Sequence, residues 1–181
     1  SNSFELQLPG FEMPDLYAFP MVWNVISWLA SWFNLFLTII IIAFVGNEFV
    51  FKTFRQHLID GLSRADLIKG KLIVVFVIGL YSFVLVFLTS IIFGLFTTDN
   101  LSFTGIFENA YFIFVYYVQA IAYMCFGLMV VLLVRNIALA IVSFILYYFP
   151  VEPIIRFALP DEITRFLPMK VISNLTPSPD L

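Results

Sequence analysis

The residues of this chain that could do chemistry lie together in one short connection. The stretch EFVFKTFRQHLIDGLSRADLIKGK, residues 48–71, holds five of the nine Lys and Arg residues. Glu48 precedes Lys52 by four positions, which is the favourable order for an ion pair on a helix. The stretch contains no nucleophile beside a general base, so its charges suit ion pairing and contact with a partner rather than catalysis.

The first part of this connection has the pattern of an amphipathic helix. Phe51, Phe54 and Leu58 recur at helical spacing on one side, while the basic residues fall on another. The pattern predicts a helix over residues 47–59, and Gly61 is expected to end it.

A second helix should begin just after that glycine. Ser63 is a good N-cap, and Asp66 follows three residues later in an arrangement similar to a capping box. We expect this helix to continue into the next apolar segment. The connection could still be an ordinary basic loop that lies on the lipid headgroups.

Several kinds of chemistry are not indicated by the sequence. It has no Gly-x-x-x-x-Gly-Lys-Ser/Thr motif, and KGKL at 69–72 does not replace one, so we expect no nucleotide or other cofactor in this chain. His57 is the single histidine and Cys125 the single cysteine, which predicts no metal site and no catalytic residue. The net charge of −3 argues against nucleic acid as a partner.

The composition places the chain in a membrane. It is 62% hydrophobic and 12% charged, whereas soluble domains are about 45–50% apolar and about 25% charged. We therefore predict an integral membrane protein of the all-α class, a polytopic bundle of transmembrane helices in contact with lipid.

Four spans are visible in the sequence. Three segments without any charge are long enough to cross about 30 Å of hydrocarbon: residues 21–46, 72–96 and 109–134. A fourth, at 137–159, is interrupted by Pro150 after only 13 residues. It could be a kinked transmembrane helix or a re-entrant one, and Glu152 and Arg156 are spaced to pair on it.

The basic residues predict the orientation. They concentrate in 47–71 and at Arg135, so these connections are expected in the cytoplasm, and residues 1–20, 97–108 and 160–181 outside. Both ends would then be extracellular. We expect the chain to belong to a longer one with one more span on each side, six in all.

A stripe of uncharged polar residues runs along the first span: Asn24, Ser27, Ser31, Asn34 and Thr38. Their steps of three and four place them on about a quarter of the helix surface. In hydrocarbon such groups need partners, so this face should meet protein or water. It could be the contact between neighbouring helices, or it could line a substrate path or an interface with a second copy.

The connection resembles the cytoplasmic loop of ABC-transporter permeases of the type-2 exporter class. The similar positions appear in the family's order: Glu48, Thr53, Leu58, Ser63, Arg64 and Lys71. Lys52 stands where the family has Gly before Thr53, and Gly61 stands near its usual Pro. With the spacing of the spans, the resemblance covers most of the chain.

The resemblance implies a membrane permease subunit, itself not an enzyme, in a bacterial cytoplasmic (inner) membrane. Its partners would be a separate P-loop ATPase subunit, which holds ATP and Mg, and a second permease in a homo- or heterodimer. Transport would follow alternating access, and the polar stripe would face the central path of the dimer. The residues implied in ATPase coupling are Glu48, Phe51, Thr53, Phe54, Arg55, Ser63, Arg64 and Lys71.

An alternative from another class stays open at this point. The same basic helix could anchor a partner to a membrane scaffold or assembly factor that transports nothing. Such a protein would need neither an ATPase nor a lined path.

Overall fold

The computed structural model describes residues 17–51, 59, 61, 63–98, 106–158 and 167–176, and the regular structure in them is helical. In chain order the elements are α1 Val22–Ser31, α2 Asn34–Val50, α3 Arg64–Thr97, α4 Tyr111–Val134, α5 Ile137–Leu146, a π-helical turn Tyr147–Val151, α6 Glu152–Ala158 and α7 Pro168–Ser173. Three helices are long and apolar enough to cross a membrane, and the bent pair α1–α2 makes a fourth. The predicted all-helical membrane bundle is confirmed.

The first span is broken, which its sequence did not predict. The axes of α1 and α2 differ by 42°. At the break the Phe33 amide donates to the carbonyl of Ala30 at 2.9 Å, so the chain tightens from an α-helical to a 3₁₀-type turn. No glycine or proline lies at this point, and α2 then runs to Val50, beyond the predicted end of the span at 46.

The connection to α3 contains a glycine and a helix cap that the sequence analysis singled out. Gly61 has a φ of 92°, a left-handed conformation that favours glycine. The Ser63 hydroxyl accepts the Asp66 amide at 3.2 Å, so the predicted cap is confirmed. From there α3 continues for 34 residues, about 50 Å, which exceeds the hydrocarbon thickness. The helix predicted over 47–59 lies largely outside the described residues.

The last span continues through its proline. Pro150 lies inside the π-helical turn, whose wider spacing accommodates the missing amide and the bulk of the ring. The helix then runs on as α6 to Ala158. The described part of 137–159 is therefore helical on both sides of its proline, and the choice between a kinked transmembrane helix and a re-entrant one stays a prediction. The following described segment, 167–176, returns to pack against α4.

Close contacts fix how the first span lies beside α3. Phe19 covers Gly94 near the end of α3, and Trp23 stacks on Phe87 with ring centroids 5.8 Å apart. At the other end, Glu48 meets Lys71. The order of these contacts is reversed along α3, so the two spans are antiparallel.

The first span is parallel to α4. The Trp23 indole donates to the Ile106 carbonyl at 2.6 Å just before α4, Thr38 touches Gly127 within it, and Gly46 approaches Ile137 just beyond it. The three contacts follow the same order on both segments. Between them lies the buried core, which includes Ile42, Val45, Met124 and Val131.

Gly127 allows the closest approach of α2 and α4. A Cβ at this position would collide with the methyl group of Thr38 and lie 3.3 Å from Ile42. Small residues at such crossings let membrane helices come close enough for dispersion contacts to hold them, because lipid supplies no hydrophobic drive between helices.

We predict that Gly127→Ala lowers the stability of the protein by about 1–3 kcal/mol through overpacking. Thr38→Ser, which removes the methyl group in the way, should recover most of that loss. Gly70→Ala is the control, since a Cβ there meets nothing within 4 Å and should raise stability by about 0.5–1 kcal/mol. Thermal unfolding in detergent measures the three variants beside wild type, and equal midpoints for Gly127→Ala and wild type would contradict the prediction.

Candidate functional site

The predicted coupling residues that the structure brings together are Glu48 and Lys71. Glu48 lies in the last turns of α2, and Lys71 lies two turns into α3. The Lys71 ammonium donates to Oε2 of Glu48 at 2.5 Å. Lys71 is only 5% exposed and Glu48 23%, so the pair is largely shielded from water. An ion pair in such surroundings is held firmly, since parting the charges would leave each without its partner.

This ion pair differs from the one that helical spacing favours. Helical spacing favours a pair of Glu48 with Lys52, and the structure joins Glu48 to Lys71, 23 positions away on the next span. Lys52 lies outside the described residues. The tertiary contact could not be predicted from spacing, because it depends on how α2 and α3 meet at the membrane boundary.

An open pocket of about 300 Å³ surrounds the ion pair between α2 and α3. Its wall combines apolar side chains with two carboxylates and one ammonium group. It is lined by Phe44, Glu48, Asp66, Leu67, Gly70, Lys71 and Val74.

Some of the other predicted coupling residues also lie at this end of the bundle. Phe51 directly follows α2 and is 72% exposed. Ser63 caps α3, and Arg64 is its first residue. Three further coupling residues lie outside the described residues, and their roles stay predictions: Thr53, Phe54 and Arg55.

The polar stripe lies inside the bundle of one chain. Ser27, Asn34 and Thr38 are fully buried, whereas Asn24 and Ser31 are partly buried. Two hydroxyl groups of the stripe donate to backbone carbonyls of their own helices. Thr38 donates to the Asn34 carbonyl at 2.8 Å, and Ser31 donates to the Trp28 carbonyl at 2.6 Å. Thr38, the last residue of the stripe, touches Gly127 of α4, so this part of the stripe lies at a contact between neighbouring helices.

Some atoms of the stripe have no hydrogen-bond partner among the described residues. They are Asn24 Oδ1, Ser27 Oγ and both side-chain polar atoms of Asn34. Buried amides are almost always hydrogen-bonded, so these atoms set the stripe apart from ordinary helix packing.

Two buried polar pairs were not predicted from the sequence. Thr176 donates to Gln119 Oε1 at 2.7 Å, and Ser82 and Tyr116 share a hydrogen bond of 2.5 Å. The first pair fastens the segment after α7 to α4, and the second joins α3 to α4. The partners are 57 and 34 positions apart, so no local pattern marks them.

Glu152 makes a contact that was not predicted from the sequence. It is buried at the start of α6, and its Oε2 accepts the Met169 amide at 3.2 Å, at the start of α7. A carboxylate is favourable at the first turn of a helix, so this bond holds α7 to the end of the last span. The structure does not describe the side chain of Arg156, the predicted partner.

Comparisons with known proteins give this chain no relative. No family model, curated protein or solved structure matches it. The geometry of the described residues is therefore the basis for a functional proposal.

We predict that Lys71→Met destabilises the protein by roughly 1–3 kcal/mol, because it leaves the shielded Glu48 carboxylate without its ammonium partner. Exchanging the charges, with Glu48→Lys and Lys71→Glu together, should restore part of the loss. Lys69→Met is the matched control, because Lys69 and Asp66 form an exposed pair, and such pairs contribute about 0–1 kcal/mol. A thermal midpoint of Lys71→Met equal to that of Lys69→Met would contradict the prediction.

Proposed function

We propose that this protein is the membrane-spanning subunit of an ATP-driven exporter of the ABC type-2 class. It would work as a homo- or heterodimer of permeases in a bacterial cytoplasmic membrane, with two separate ATPase subunits. The observation that carries the proposal is the shielded ion pair between Glu48 and Lys71, which ties the two helices on either side of the charged connection.

A permease of this kind must transmit movement from a cytoplasmic partner to its spans. The Ser63 cap fixes the first turn of α3, which then runs for 34 residues as one helix. A displacement at its cytoplasmic end would therefore reach the far side of the membrane. Because Lys71 is held by Glu48, α2 would move with it.

The surface at this end suits contact with another protein. Phe51 is 72% exposed and Ile59 is 84% exposed, and both belong to the connection expected in the cytoplasm. Large apolar side chains that face water rather than lipid mark interaction sites. The basic residues of the connection would keep it on the cytoplasmic side.

In the proposed cycle, ATP and Mg bind the partner ATPase, which holds the nucleotide motif that this chain lacks. Closure of the ATPase pair would move the connection, and the ion pair and the capped α3 would pass that movement to the spans. The spans would then alternate between an inward-open and an outward-open path.

We expect the full-length protein to co-purify with a P-loop ATPase in detergent. Phe54→Asp should abolish the association, since a carboxylate would replace an apolar contact in the connection. Phe157→Asp is the control: it makes the same change at a side chain that is 97% exposed at the opposite end of the bundle, and it should leave the ATPase bound. Immunoblotting and mass spectrometry of the eluate measure the outcome.

The opposite results are equally informative. A protein that elutes alone, or with a partner that lacks a P-loop, would overturn the exporter and favour the membrane scaffold. Retention of the ATPase by Phe54→Asp would show that the contact does not depend on this position of the connection, and its loss in both variants would show that the effect is not specific to the connection.

A further inference from the structure

The unpartnered atoms of the polar stripe point to a second site, inside one chain. Asn34 is fully buried and offers both a donor and an acceptor, and neither has a partner among the residues that the structure describes. Ser27 is also fully buried, and its hydroxyl is likewise unpartnered. Asn24 adds an unpartnered carbonyl oxygen three residues earlier on the same face.

Something must satisfy these atoms within the membrane. Hydrocarbon offers no hydrogen bonds, and a buried amide without partners strongly destabilises a fold. The neighbouring hydroxyl groups of Ser31 and Thr38 bond backbone carbonyls of their own helices, so lack of partners is not a general property of the stripe. Buried polar groups that no side chain satisfies are where proteins hold water or a polar ligand.

The position of Asn34 adds to this inference. It is the first residue of α2, directly after the break at Trp32 and Phe33. The 42° bend turns α2 away from the axis of α1 at this level. The break therefore lies in the same short stretch as the unpartnered amide.

Both ends of the stretch are closed in the structure. On the outer side, the buried ring of Trp23 bonds the Ile106 carbonyl and stacks on Phe87. On the inner side, Thr38 packs so closely against Gly127 that a methyl group added at Gly127 would collide with it. A ligand between these closures would be small, or it would enter only when one closure opens.

The composition of these helices favours an uncharged ligand. Neither α1 nor α4 contains a charged residue, and the first in α2 is Glu48, fourteen positions beyond Asn34. A charged group would find no counter-ion on these helices in a medium that penalises lone charges strongly. Amide and hydroxyl groups match neutral donors and acceptors instead.

We propose that the unpartnered atoms of Ser27 and Asn34, with that of Asn24, bind neutral hydrogen-bonding groups beside the first span within a single chain. Water and a hydroxyl or amide group of a transported compound share this chemistry. The site itself does not depend on the exporter function; only its use by a transported compound rests on that function.

Cysteine labelling tests the site in membranes that contain the full-length protein. Ser27→Cys and Asn34→Cys are made separately in a Cys125→Ala background, and each is treated with uncharged methyl methanethiosulfonate. The reagent attacks the thiolate, which forms only where water or another polar group reaches the sulfur. Phe36→Cys is the control, because Phe36 is 60% exposed on the lipid-facing side of α2.

We expect both buried cysteines to react roughly tenfold faster than the Phe36→Cys control, because a thiol in a polar site ionises more readily than one in lipid. Fast labelling without nucleotide would identify water as the ligand. Fast labelling only when the ATPase partner is bound and supplied with ATP would identify a path that opens during transport. Each variant must elute as a single species in size exclusion, and the near-isosteric Ser27→Cys guards against misfolding at Asn34.

Rates equal to the control at both positions, with and without ATP, would overturn the site. That result would leave the exporter proposal intact, since co-purification of the ATPase does not depend on the stripe. Conversely, a chain without an ATPase partner would still be labelled if water occupies the site.

Discussion

The close approach of the first span to α4 at Gly127 is the contact on which the rest of the described bundle depends. It sets the two helices side by side in the same direction, with Trp23 at one end and Gly46 at the other. Lipid provides no hydrophobic effect that would drive membrane helices together. Such an approach therefore depends on small side chains and close dispersion contacts. Burial of the polar stripe is a direct consequence.

Hydrogen bonds between distant residues complete what this packing begins. Ser82 with Tyr116 joins α3 to α4, and Gln119 with Thr176 brings the segment after α7 back to the bundle. In hydrocarbon an unpaired polar side chain is unfavourable, so each pair disfavours any arrangement that would part its members. The polar residues of the spans thus help to fix which helices are neighbours.

The two ends of the bundle differ in chemistry. At the end expected in the cytoplasm, a shielded ion pair joins α2 to α3 where the charged connection begins and ends. At the other end, the rings of Phe19 and Trp23 pack together, and Glu152 accepts a hydrogen bond from the start of α7. An assembly driven from one side of the membrane needs a firm link at that side, and the Glu48–Lys71 pair is placed to supply it.

The sequence by itself determined the class, the number of spans and the cap of α3. These features depend on local properties: the length of apolar runs, the absence of charge within them, and the spacing of Ser63 and Asp66. The stripe was also visible from its helical period, although its period could not say whether α4, a second copy or water would cover it.

Only the tertiary structure decided the partners of those residues. The bend after Ser31 has no glycine or proline that would predict it, and the pair of Glu48 with Lys71 joins residues 23 positions apart on different helices. The local spacing of a sequence records which residues share a helical face. Which helical faces contact each other depends on shape complementarity between helices that are far apart in the chain, as at Gly127. This complementarity is visible only in the packed structure.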